Sequence, residues 1–207
     1  MDIQTFLKKI EESSKNIPVE RIPVLTELVD FIVSKKGDTS LIYVCTHNSR
    51  RSQFSQVWST ILSGEFGFNQ IKSFSAGTET TACNERTIAS LKRTGLEVKS
   101  EGESPNFKYT ISGTEQTKQE IILFSKLIDD SVNPVNNFAS IMTCSHADEN
   151  CPVIIGADQR IPVRFEDPKA FDNTDLEAEK YDERSLQIAS ELYYVFKVVN
   201  EKLTMNN

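Results

Sequence analysis

The sequence predicts an α/β fold built on a mainly parallel four-stranded sheet flanked by helices. Three observations carry that expectation. Leu41–Val44 is a short apolar run with no polar interruption, the pattern of a strand buried on both faces. Helical segments that end near glycines separate the apolar runs. Strand and helix patterns then alternate along the chain, as βαβ units require.

Residues 1–37 read as an N-terminal appendage of two helices. Phe6, Ile10 and Ser14 mark a weak face on the first. After Pro23, Leu25, Leu28, Val29, Ile32 and Val33 recur at helical spacing, and Lys35-Lys36-Gly37 supplies a stop. Further strands are expected at Ile71–Phe74, Phe138–Met142 and Ile161–Phe165. Helices are expected from Arg51 to about Leu62, over Glu85–Arg93 up to Gly95, and over Asp175–Lys202. Residues 98–135 fit the alternation poorly; Phe107–Ile111 and Ile121–Phe124 read as a hairpin insertion with Gly113 in its connection.

Composition narrows the function. The chain has 207 residues, 38% hydrophobic and 26% charged, enough for a core without staples. A net charge of -7 with no Lys/Arg run argues against nucleic-acid binding. No secretory or membrane-spanning segment is visible, so a cytoplasmic location is expected. The four cysteines then read as catalytic, redox or metal-binding rather than as static disulfides.

The most informative segment is Leu41-Ile-Tyr-Val-Cys45-Thr-His-Asn-Ser-Arg-Arg51-Ser52. A strand ends, a short loop follows and a helix begins. Successive amides in such a turn form an anion nest, and the helix adds its positive end. Cys45 at the floor of that nest is the candidate nucleophile, and Arg51 the fork that holds two oxygens of a tetrahedral anion. Ser52 is positioned to hydrogen-bond the sulfur, and Asn48 to pin the loop. Thr46, His47, Asn48, Ser49, Arg50 and Ser52 are thus the expected oxyanion-loop residues. A lone cysteine at a strand end is usually a small buried hydrophobe. The arginine six positions on, the serine after it and the strand–loop–helix setting reverse that reading.

This segment resembles the low-molecular-weight tyrosine phosphatase family, whose signature is Cys-x5-Arg-Ser near the first strand. The likeness spans roughly residues 41–200, with residues 98–135 outside it, and Ser75-Ala-Gly77 and Asn84-Glu-Arg-Thr87 match further landmarks. It implies a doubly wound sheet and a phosphatase-like catalytic domain over residues 38–207. It also implies that Asp167, before Pro168, is the general acid. The chain departs from the family at His47, where glycine is common, and at Arg50, where a second cysteine is common. His47 is therefore expected to take an unusual backbone angle. Arg50 is expected to add charge at the mouth or to point to solvent.

Met142-Thr-Cys144-Ser-His-Ala-Asp-Glu-Asn-Cys151-Pro152 resembles the redox segment of thioredoxin-coupled arsenate reductases, a branch of the same fold. His146 replaces an Asp of that pattern. The resemblance implies a relay in which Cys144 attacks Cys45 and Cys151 then attacks Cys144, and an external dithiol protein resets the pair. The polar stretch Ser145–Asn150 is expected to unwind cheaply. Zinc held by Cys144, His146, Cys151 and His47 is one competing reading, and two inert thiols in a core loop are the other. The cysteine spacing is not that of a zinc knuckle, so no metal or cofactor is expected. Cys83 reads as structural. Gln56 stands where some reductases of this fold carry an ion-binding Glu, so that site is not expected here. The acidic stretch Asp172 to Glu183 reads as a solvated helix start.

Three functions compete. The first is arsenate reduction through Cys45, Cys144 and Cys151, with thioredoxin or a similar dithiol as partner. The second is phosphoester hydrolysis through a phosphocysteine at Cys45. The third is a non-enzymatic oxyanion sensor, which leaves Asp167 and Ser52 without purpose. Lys169-Ala170-Phe171 follow Asp-Pro where phosphatases of this family carry tyrosines, which weakens a phosphotyrosine platform. Two extra cysteines favour the reductase.

Overall fold

The computed structural model describes residues 1–150 and 153–205. Its main sheet has four parallel strands: β1 (Ser40–Cys45), β2 (Lys72–Gly77), β6 (Phe138–Met142) and β7 (Ala157–Ile161), in the order β2-β1-β6-β7. The expected α/β class and parallel sheet are therefore present. β1 lies in the middle, with Leu41, Ile42 and Val44 buried, as its uninterrupted apolar run requires.

The fourth strand sits earlier than Ile161–Phe165. Pro162 has no amide hydrogen to offer, and the pairing with β6 ends at Ile161. Val163 and Phe165 are still buried, in the segment that leads to Asp167.

Helix α3 (Arg51–Glu65) runs between the sheet and the long α6 (Glu177–Met205). Ser52 through Gly64 are all buried, although many are polar. Their hydroxyls are satisfied locally: Ser55 Oγ donates to the Arg51 carbonyl and Thr60 Oγ1 to that of Gln56, both at 2.8 Å. Trp58 Nε1 donates to Ser185 Oγ at 2.9 Å, tying α3 to α6. Helix α4 (Glu85–Arg93) matches its sequence boundaries and is capped by Asn84, whose Oδ1 accepts from the Arg86 amide.

Helices α1 (Ile3–Ser14) and α2 (Ile22–Ser34) lie on α6. Their apolar faces, Phe6 and Ile10 on one and Leu25, Leu28 and Ile32 on the other, share one core with α3 and the sheet. The Phe6 ring stacks on Trp58 at 5.2 Å. No helix among the described residues is long and apolar enough to cross a membrane.

The segment that resisted the alternation is a small antiparallel sheet. β4 (Lys108–Ile111) and β5 (Ile121–Leu123) form the expected hairpin, and β3 (Val98–Glu101) adds a third strand. β3 carries mostly exposed polar side chains, so it leaves little periodic signal. The stretch expected to unwind cheaply holds a short helix, α5 (Ser145–Asn150).

Candidate oxyanion site

β1 delivers Cys45 to the carboxyl end of the sheet, the usual place for ligands in open α/β folds. The loop that follows turns its carbonyls outward. Those of Cys45 and Thr46 accept from the amides of Thr78 and Glu79. That of His47 accepts from Ser125 Oγ at 2.8 Å, and that of Asn48 from Gln53 Nε2 at 2.7 Å. That of Ser49 accepts from the Asn84 amide at 3.0 Å. Among the described residues, no backbone amide of residues 47–50 has an acceptor. This is the arrangement of an anion nest.

Gly77 lets β2 press against that loop. A Cβ there would lie 2.8 Å from both the Asn48 nitrogen and the Thr46 oxygen. The landmark glycine is thus required by close approach. Thr87, in the other landmark, donates from Oγ1 to the Ser49 carbonyl at 3.3 Å.

The strained residue is Asn48, with φ of 45°, and not His47 as expected. Asn tolerates that region better than His because its short amide bonds locally. Asn48 is fully buried. Its Nδ2 donates to Ser52 Oγ at 2.9 Å, and its Oδ1 accepts from the Lys126 amide at 3.0 Å. Ser52 Oγ in turn lies 3.0 Å from Cys45 Sγ. The His47 side chain is 41% exposed, its Nε2 3.4 Å from Glu79.

Arg50 also departs from expectation. It neither faces solvent nor adds charge at the mouth. Its Nε donates to Tyr181 Oη at 2.7 Å and its Nη2 to Asp172 at 3.3 Å. Tyr181 donates to the same Asp172 carboxylate at 2.8 Å. Burial, together with that carboxylate, raises the Tyr181 pKa above the usual phenol range. Asp172 is therefore a partly buried anchor rather than part of a solvated helix start. Glu177 and Asp182, on α6, pair with Arg86 and Arg93 of α4.

Arg51 reaches Asp167. Its Nη2 donates to Asp167 Oδ2 at 2.6 Å and its Nη1 to the Phe165 carbonyl at 3.0 Å. Its buried Nε has no hydrogen-bond partner among the described residues. The expected clamp and the expected acid, far apart in sequence, thus meet in one cleft of about 600 Å³, which Cys144, His146 and Arg184 also line.

Cys144 follows β6 and is buried, its Sγ accepting from the Ala147 amide at 3.4 Å. Thr46 Oγ1 lies 3.5 Å from that sulfur and 3.3 Å from His146 Nδ1. Cys45 and Cys144 belong to one small buried cluster beside Val44, Met142 and Ala147. Cys151 and Pro152 lie outside the described residues. Asp148, on α5, is buried and pairs with Arg160 and Arg164. Cys83 sits in the main core, where burial pushes its thiol up to about 12, although the Lys126 charge opposes the shift. Gln56 donates to the Ile122 carbonyl at 3.2 Å and accepts from Ser75 Oγ at 2.6 Å, fastening the small sheet to the large one.

Sequence reasoning missed Arg184, which has no motif and sits among the charges of an amphipathic helix. It also missed Lys126, a lysine buried beside Phe124 with its Nζ 4.6 Å from the ring centre.

No protein-family model matches the chain. It is 27% identical over 129 residues to arsenate reductase 2 of Staphylococcus saprophyticus, covering 62% of this chain and 78% of that protein. It is 28% identical over 130 residues to an arsenate reductase of Brevibacillus brevis, covering 62% and 76%. Among solved structures, a low-molecular-weight phosphotyrosine phosphatase from Vibrio cholerae O395 superposes with a TM-score of 0.53 at 15% identity, covering 79% of this chain and 98% of that one. The chain thus has the fold of the low-molecular-weight phosphotyrosine phosphatases, and its sequence relatives are arsenate reductases.

Proposed function

We propose that the chain is an arsenate reductase that works through three thiols and is reset by thioredoxin or a similar dithiol protein. The observation that carries this reading is a second buried sulfur, Cys144, joined to the nucleophile's loop through Thr46. Phosphoester hydrolysis has no use for it.

The chemistry runs as follows. Arsenate enters the nest, where the free amides and the Arg51 fork offset its charge. The Cys45 thiolate attacks arsenic, an As–S bond forms, and one As–O bond breaks as Asp167 protonates the leaving oxygen. For that transfer Asp167 has to leave Arg51, and the incoming anion supplies Arg51 with a replacement partner. Cys144 then attacks the Cys45 sulfur. The new S–S bond leaves the As–S electron pair on arsenic, which departs as arsenite. Cys151 attacks Cys144 and frees Cys45. The dithiol partner then reduces the Cys144–Cys151 disulfide and is itself oxidised.

A second reading, hydrolysis of a phosphoester through a phosphocysteine at Cys45, draws support from the cleft. Its volume of about 600 Å³ exceeds what a bare oxyanion fills.

The test uses the purified full chain with two substrates. Cys45→Ser is expected to abolish turnover of both arsenate and para-nitrophenyl phosphate. Cys151→Ser is expected to keep para-nitrophenyl phosphate hydrolysis and to lose thioredoxin-dependent arsenate reduction. Equal loss of both activities in Cys151→Ser contradicts the relay.

A further inference from the structure

The cleft that holds Arg51 and Asp167 has an arginine-rich outer wall. Arg21, Arg164 and Arg184 all line it, with Phe165 and Glu166 beside them. Two of the three are already paired. Arg21 makes a bidentate contact with the buried Glu191, and Arg164 binds Asp148. Arg184 is different: among the described residues it has no carboxylate within ion-pair distance.

Arg184 is nevertheless held in place. It donates from Nη1 to Gln187 Oε1, and Gln187 donates from Nε2 to Glu191 Oε1 at 3.0 Å. Glu191 accepts from Arg21, whose guanidinium rests over the Phe165 ring at 5.1 Å. The three α6 residues fall at positions i, i+3 and i+7, one stripe of a helix. This chain of contacts presents a charged guanidinium to the cleft with little left to order on binding. Burial lowers the Arg184 pKa, and the nearby charge of Arg51 acts in the same direction, against the opposite pull of Glu183, Glu166 and Glu191. Arg51 and Arg184 line one cleft together with Glu166, and Arg184, with no carboxylate within ion-pair distance among the described residues, is placed to take negative charge from a ligand.

We propose that Arg184 is a second anion-binding position, and that this cleft prefers a phosphomonoester carrying a second acidic group, such as a carboxylate. The reacting phosphoryl group sits at the Cys45 loop and the remote acid reaches Arg184. The inference deepens the phosphoester reading and rests on the Cys45 loop holding a tetrahedral oxyanion. The lining explains the preference. Arg184, with no carboxylate within ion-pair distance among the described residues, offers little to a neutral aromatic ester and much to an anionic one.

Calorimetric binding of two non-hydrolysable ligands, phenylphosphonate and para-carboxyphenylphosphonate, tests this on the full chain. The carboxylated ligand is expected to bind the parent protein about ten-fold more tightly or better. Arg184→Gln is expected to bring that ratio to within about two-fold of unity, and Arg184→Lys to restore part of it. Gln187→Leu, which removes the anchor and keeps the charge, is expected to shrink the ratio as well. Equal affinities in the parent, or an undiminished ratio in both Arg184→Gln and Gln187→Leu, overturn the proposal. Failure of the underlying reading looks different: phenylphosphonate itself then shows no binding to the parent protein.

Discussion

Asn48 offers the sharpest test of how the anion loop is held. Its side chain is fully buried, supplies the Lys126 amide with its acceptor and donates to Ser52, which touches the Cys45 sulfur. Asn48→Ala removes both bonds. A buried amide left without a partner costs about 1–3 kcal/mol, and loss of the bond to Ser52 adds roughly 1 kcal/mol. Alanine must also hold φ of 45°, which costs about 1–2 kcal/mol more than a residue at ease there. The sum is about 3–6 kcal/mol. Asn48→Gly loses the same bonds but accepts the angle, so it is expected to fall short of the alanine loss by about 1 kcal/mol. Urea unfolding followed by tryptophan fluorescence measures both, since Trp58, on the helix that follows the loop, lies in the core. At a slope of roughly 2 kcal/mol per molar urea, the alanine midpoint falls by about 1.5–3 M. If glycine is no better than alanine, the positive φ carries no cost. If both variants stay within about 0.5 kcal/mol of the parent, the loop is held by something other than Asn48.

Two further tests address charge. Burial lowers the Lys126 pKa to about 8, with Asp130 and Cys83 opposing the shift. The unfolded chain therefore binds this proton more tightly than the folded one, and the penalty is full below pH 8 and relieved as pH rises toward the usual lysine value. Lys126→Met is expected to gain on the order of 3 kcal/mol over the parent at pH 7 and clearly less near pH 10. Parallel urea titrations at the two pH values check this, and a gain that does not shrink with pH refutes it. Asp167→Asn is expected to lower turnover by roughly two to four orders of magnitude. The same variant frees Arg51 from its 2.6 Å partner, so phosphate is expected to bind at least as tightly as to the parent. Isothermal calorimetry beside the activity assay separates the two effects, and weaker phosphate binding speaks against the exchange of partners at Arg51.

Local chemistry made much of this molecule readable in advance. β1 is an uninterrupted apolar run and lies buried in the middle of the sheet. α4 begins at an Asn cap and ends before a glycine, and its boundaries fall where those residues put them. The Cys45 loop is legible because the proposed nucleophile, nest and clamp lie within a few residues of one another. Each of these features is encoded by neighbours in sequence, through hydrogen bonds and periodicities that span only a turn or two.

Contacts between distant segments were not readable in that way. The positive φ passed from His47 to Asn48 because the Lys126 amide, brought in from a distant segment, joins the nearby Ser52 in satisfying an Asn side chain. Arg50 turned inward because α6 placed Tyr181, and the preceding loop Asp172, beside it. β7 ended early because the partner strand needed an amide that Pro162 lacks. Arg184 gained its place in the cleft from Gln187, Glu191 and Arg21, a chain of contacts that closes only when the N-terminal helices lie on α6. The sequence by itself determined which chemistry the chain holds. Packing decided which charges face the cleft and which face each other, because electrostatic partners are chosen by distance in space and not along the chain.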